Sequence, residues 1–182
     1  MKITKLTLIF AACVYLAGCA TGATMENMTY RGDQKVYPEG LKGSMELFAV
    51  TGGDKTNPLW TSEISSEAFS DAVKESLSAQ GLLSDNGRYQ LNVKMLKVDQ
   101  PMFGLDLKVT THVQYLLTDT RNDTIVLDEA IVASHTATFN DAFAAIKRLR
   151  LANEGSGLKN IEAFLEKLSA LNINKQEISV TE

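Results

Sequence analysis

Three runs of alternating apolar and polar side chains constrain this chain most. Tyr89, Leu91, Val93 and Met95 alternate with Arg88, Gln90, Asn92 and Lys94. Leu105, Leu107, Val109, Val113, Tyr115 and Leu117 alternate with Asp106, Lys108, Thr110, His112 and Gln114. Ile125, Leu127, Ile131 and Ala133 alternate with Thr124, Asp128 and Ser134. Successive strand side chains point to opposite faces, so period two with one polar set means antiparallel strands covered on one side. The stretches DQPMFG (99–104) and DTRND (119–123) are the turns between them. A polar sheet face carrying Lys94, Lys108, His112 and Gln114 is left open to solvent.

Two helices supply the cover. Over 64–82, Phe69, Ala72, Val73 and Leu77 keep helical spacing. Ser65 stands at the N-cap, Glu67 in the first turn, and Ile64 and Phe69 at the spacing of a hydrophobic staple. Gly81 and Leu82 fit a Schellman end. Over 141–171, an apolar stripe through Phe143, Ile146, Leu149, Gly157, Ile161, Phe164, Leu168 and Leu171 stays in phase across the GSG at 155–157. At about 100° per residue, two independent helices have no reason to preserve that phase. The spacing predicts one long helix, with a break capped by Ser156 as the alternative. A first strand over 45–51 completes a β-α-β-β-β-α order. The fold class is therefore α+β, with a mainly antiparallel four-stranded sheet and both helices on one face.

The amino terminus gives an address. Met1–Lys5 carries two positive charges, residues 6–15 carry none, and Leu16-Ala17-Gly18-Cys19 follows. This is the pattern of a secretory signal. An apolar helix of that length reaches only ~15–20 Å, too short for a bilayer core of about 30 Å. LAGC resembles the lipobox of bacterial lipoproteins. The resemblance implies cleavage after residue 18, acylation of Cys19, and anchoring of the mature chain to a membrane by its acyl chains. Ala20, where an Asp would favour inner-membrane retention, implies the periplasmic side of the outer membrane; the inner membrane is the alternative. Cys13 leaves with the signal peptide, so no thiol remains for an intramolecular disulfide. Residues 1–18 are thus the signal peptide, 19–43 the lipidated cysteine and a solvated tether, and 44–182 one domain. Tyr30, Val36 and Tyr37 give the second half of the tether some means to lie on the domain.

The chain has 18 basic and 22 acidic residues, and loss of Lys2 and Lys5 leaves 16 against 22, a net −6. An acidic surface of this kind argues against nucleic acid as a partner. Five further stretches, GLL (81–83), YQLNV (89–93), DQPMFGLDLKVTTHVQYLL (99–117), TATF (136–139) and RLRLANEGSGLKNIEAFLEKL (148–168), are similar to a group of uncharacterised proteobacterial lipoproteins. That group is sometimes labelled UDP-N-acetylglucosamine acyltransferase. Acyltransferases of that name are cytoplasmic left-handed β-helices of repeated hexapeptides with a catalytic histidine. This chain has no hexad repeat, an export signal and no matching histidine motif, so the label does not fit it.

No motif for catalysis stands out. His112 falls on the polar strand face, and His135 falls on the apolar face with Ala133 and Ala137, a core-edge imidazole satisfied by one hydrogen bond. Asp99, Asp106 and Asp119 stand at strand ends and turns, open to paired-carboxylate chemistry but also common as turn formers. No spacing of zinc-ligand type, P-loop or nucleophile elbow is present. Nothing calls for a cofactor or a metal. Arg148, Arg150, Asn153 and Glu154 form the one notable polar cluster, with Arg150 and Asn153 inside the helical apolar stripe. Buried polar groups require partners, so the cluster is either a binding site or a structural knot, with Arg150 pairing to Glu154 or to a strand carboxylate such as Glu129. The function expected is a non-enzymatic accessory lipoprotein that serves envelope assembly, transport or maintenance by binding an envelope protein. An envelope enzyme acting on lipid or glycan is the alternative, as is a carrier holding a lipid-like ligand between helices and sheet.

Overall fold

The computed structural model describes residues 21–57 and 61–172. Cys19 and the expected signal peptide, residues 1–18, lie outside them. The order is α1 (Met25–Met28), β1 (Met45–Thr51), α2 (Ser66–Ala79), β2 (Tyr89–Asp99), β3 (Leu107–Asp119), β4 (Thr124–Ala137) and α3 (Ala145–Ser169). The four strands form one sheet in the order β1-β2-β3-β4. β1 pairs with β2 in parallel, and the other two pairings are antiparallel. The α+β architecture expected from the alternating runs is present, with the parallel edge strand joined to β2 through α2.

α2 forms as its local chemistry dictates. Ser65 Oγ accepts the Ala68 N–H at 3.1 Å, and Ile64 and Phe69 are both buried in the core. At the other end Leu82 N–H reaches Leu77 O at 2.9 Å and Gly81 N–H reaches Ser78 O at 3.0 Å. Gly81 sits at φ +69°, a left-handed turn that a side chain would penalise. α3 is continuous through Gly155 and Gly157, as the unbroken stripe predicts. Its two glycines are places of contact. A Cβ at Gly155 would stand 2.1 Å from the His135 ring, and one at Gly157 would stand 2.8 Å from Met28 Sδ. The helix comes down on β4 at the first and on the amino-terminal segment at the second.

Between sheet and helices, Tyr115 and Phe164 stack with centroids 4.1 Å apart and planes at 7°. Phe69, Leu77, Leu91, Leu117, Ile161 and Leu168 fill the space around them. Two polar groups cross this core. Asn160 Nδ2 donates to Ile131 O at 3.0 Å and to Thr111 Oγ1 at 3.2 Å, while its Oδ1 accepts Tyr115 O–H at 2.9 Å. Thr111 Oγ1 donates in turn to Ser156 O at 3.2 Å. Every buried polar atom of Asn160 is therefore satisfied, which makes the network a register lock rather than a penalty.

Four sequence expectations differ from the structure. The stretch expected as a solvated tether packs from Thr21 onward: Ala23, Met28, Tyr30, Tyr37 and Leu41 belong to the core cluster, and only Val36 among the three residues proposed to touch the domain is exposed. Most of this stretch is neither helix nor strand, so its apolar residues join the core without a period. Phe143 is exposed because α3 begins two residues later, at Ala145. Leu105 is exposed because β3 begins at Leu107. Ile125 is exposed because the register shifts after Leu117, where the pairing skips Val126. Such a bulge inserts one residue and reverses which side chains point inward.

Candidate functional site

The first three turns of α3 carry the predicted cluster, and the structure splits it in two. Arg148 turns back over the β4–α3 loop. Its Nη1 donates to Ala142 O and Phe143 O, both at 2.8 Å, and its Nη2 donates to Gly104 O at 3.4 Å on the β2–β3 loop. Its guanidinium also lies 5.3 Å from the centre of the Phe139 ring. This one side chain ties the two loops at that end of the sheet together.

Arg150, Asn153 and Glu154 face the amino-terminal segment and the β1–α2 loop instead. Glu154 Oε1 accepts Thr24 N–H at 3.1 Å and Thr24 Oγ1–H at 3.2 Å, and Oε2 accepts Asn27 Nδ2–H at 2.9 Å. Arg150 Nη1 donates to Thr21 Oγ1 at 2.6 Å, with its Nε 3.7 Å from Glu154. Asn153 Nδ2 donates to Ser62 O at 2.7 Å, and its Oδ1 lies 3.1 Å from Gln100 Nε2. Ser62 Oγ donates to Thr21 O at 2.8 Å, and Ala23 N–H donates to Glu63 O at 2.9 Å. Three of the roughly four acceptor sites of Glu154 are thus taken by the amino-terminal segment, so the carboxylate acts chiefly to hold that segment. Arg150 pairs with Glu154 as one of the two expected options. Glu129, the other, bridges to Lys167 at 3.4 Å. The cluster is a clasp: it fastens residues 21–27 to α3.

Beside the clasp lies an open cleft of about 560 Å³, lined by Gly22, Gly53, Lys55, Thr56, Glu63 and the start of α2. Burial pushes the Glu63 carboxyl above the usual carboxylate range, and Gln100 Nε2 donates to its Oε2 at 2.8 Å. The hydroxyls of Thr56, Ser65 and Ser66 each accept a backbone N–H, from Glu63, Ala68 and Gly53. They are occupied in shaping the loop. A second opening of about 250 Å³ lies between His135, Asp141, Leu151 and Glu154. Burial, helped by Lys159, lowers the His135 pKa. Its ring packs over Gly155 and makes no hydrogen bond among the described residues, unlike the single bond expected.

The remaining candidates are dispersed. His112 Nε2 lies 3.1 Å from Asp99 Oδ2 on the open sheet face, and Lys97 joins the same carboxylate at 2.6 Å. Asp106 accepts the Phe139 N–H at 3.1 Å. Asp119 is held by Arg88 at the opposite end of the sheet. The three aspartates thus take different partners and form no pair. Sequence reasoning missed Glu63, Gln100 and Asn160. It also missed the apolar loop residues Met102 and Phe103, although large apolar side chains inside a turn were a visible signal.

No family model matches the sequence, and no curated protein matches it at a significant level. Solved structures share its fold. A Caulobacter crescentus protein described as a candidate lipoprotein has a TM-score of 0.51 at 17% identity, over 71% of this chain and 90% of that one. A Xanthomonas campestris protein of the DUF330 family has a TM-score of 0.53 at 8% identity, over 80% and 91%. A hypothetical protein of Chlamydia trachomatis has a TM-score of 0.51 at 14% identity, over 72% and 99%. At these identities the likeness is one of fold.

Proposed function

We propose that this protein is a lipoprotein of the bacterial envelope, acylated at Cys19 and held on the periplasmic side of the outer membrane. There it acts as a non-enzymatic accessory that binds an envelope protein. The observation that carries this reading is the clasp. Thr21, two residues after Cys19, is already fixed to Ser62 and Arg150. An anchor at Cys19 would hold the domain directly against the membrane rather than at the end of a tether. The shared fold of a candidate lipoprotein supports the same class.

The amino-terminal segment covers the helical side, which leaves the open sheet face as the surface for a partner. Lys94, Lys108, His112 and Gln114 lie on it, with Gln114 joined to Asp128 at 2.8 Å and His112 to Asp99. Close packing around Phe69, Tyr115 and Phe164 speaks against a lipid held between helices and sheet. The enzyme alternative would rest on Glu63 in its cleft. A photo-crosslinking residue at Lys94, activated in living cells, is expected to give a discrete adduct with one envelope protein. Adducts with abundant lipoproteins alone would count against a specific accessory role.

A further inference from the structure

Five large apolar side chains stand in solvent at one end of the domain. Met102, Phe103 and Leu105 lie on the β2–β3 loop, the first two 90% and 85% exposed. Phe139 and Phe143 lie on the β4–α3 loop, Phe143 being 86% exposed. Single exposed apolar residues are ordinary, but a cluster of this size marks a contact surface. The two loops form one surface. Phe139 N–H donates to Asp106 Oδ1 across them, Arg148 bonds the carbonyls of Gly104, Ala142 and Phe143, and the Phe139 and Phe143 rings meet edge to face at 5.5 Å. Asp141 Oδ2 also accepts the N–H and the hydroxyl of Thr138. A polar base therefore holds the apolar side chains outward.

The path of the chain says what covers them. β2 and β4 run toward this end, and α3 starts from it. Thr21 is fastened at the same end, to Arg150 near the start of α3 and to Ser62, whose carbonyl meets Gln100 at the root of the β2–β3 loop. From there the segment runs along α3 toward its far end: Thr24 meets Glu154, Met28 lies at Gly157, and Lys35 pairs with Glu166 at 3.4 Å. Two residues span at most ~7 Å, so an anchor at Cys19 would act within that reach of Thr21, on the side of the apolar end.

We propose that this end is a membrane-docking face. Met102, Phe103, Leu105, Phe139 and Phe143 enter the interfacial layer of the leaflet that holds the acyl chains of Cys19. The inference rests on the acylation of Cys19 proposed above. Acyl chains and apolar loops then act as two points of attachment, and two points fix an orientation where one leaves the domain free to swing. The exposed Lys147 follows Phe143 by four residues, about one helical turn, where its stem reaches headgroup depth. α3 and the open sheet face would then rise away from the bilayer, keeping that face free for a partner.

The test uses the full mature protein in vesicles of phosphatidylethanolamine and phosphatidylglycerol. Phe103→Cys and, separately, Val36→Cys are labelled with an environment-sensitive fluorophore; Cys19 does not react once its sulfur is a thioether. Val36 is exposed beside Lys35, which pairs near the far end of α3, and neither change touches the core. The label at 103 is expected to shift to the blue and to be quenched by lipid spin-labelled near the headgroup, while the label at 36 keeps its aqueous emission. Aqueous emission at 103 in protein whose mass shows the acyl chains would overturn the docking face and leave the anchor standing. A mass without acyl chains would overturn the anchor and the docking together. A shift at 103 that appears with added periplasmic protein but not with vesicles would make this end a protein-binding surface and overturn the proposal.

Discussion

At Gly155 the backbone of α3 lies against the His135 ring of β4, with no room for a side chain. With a Cβ at 2.1–2.7 Å from three ring atoms, Gly155→Ala must displace either the ring or the helix. Overpacking of this kind costs about 1–3 kcal/mol. The expected outcome is a loss of that size in denaturant unfolding, largely restored by His135→Ala in the same chain, since contacting residues are not additive. Equal destabilisation in the single and double variants would place the strain elsewhere. Neither partner was legible from sequence as part of a pair. The apolar stripe ran through Gly157 and not Gly155, and the ring that needs the space at Gly155 lies twenty residues away on another element. The polar residues were half legible. Asn153 in the apolar stripe announced a need for partners, but Ser62 and Gln100 are supplied by tertiary structure.

At the scale of elements, the Arg88–Asp119 pair clips the start of β2 to the end of β3. Arg88 Nε donates to both Asp119 oxygens at 3.0 Å, and Arg121 N–H donates to Oδ1 at 3.1 Å. These bonds, Arg88 first, hold the Asp119 carboxyl below its usual range. A depressed carboxylate stabilises the fold above its unfolded pKa and loses that contribution as pH falls through the folded value. Asp119→Asn is therefore expected to cost about 1 kcal/mol at neutral pH, Arg88 being partly screened by solvent. The gap to wild type should close below ~pH 4 in acid unfolding curves. A gap independent of pH would deny the charge a role. α2 was legible to its caps because every capping partner is a sequence neighbour. The strands were legible in kind but not in phase. The bulges at Leu96 and Val126 depend on the facing strand, and with them Val98 and Val126 pack inward where a strict alternation puts other residues.

For the whole molecule, the amino-terminal segment is what sequence patterning undervalued. Met25, Met28, Tyr30, Tyr37 and Leu41 have no common period, so they read as a tether, yet each packs in or against the core. That packing would join the domain to the proposed anchor. The clasp of Glu154, Arg150 and Asn153 leaves only Ala20 between the proposed lipid site at Cys19 and the folded domain at Thr21. Among the described residues no helix is long and apolar enough to cross a membrane. The proposed attachment is through Cys19, with the apolar loops beside it as the second contact. The most direct test is the mass of the amino-terminal peptide from protein extracted out of cell membranes. The account predicts a chain that starts at residue 19 and carries diacylglycerol and a third acyl group on that cysteine. A chain that keeps Met1, or one that starts at residue 19 with a free thiol, would contradict it.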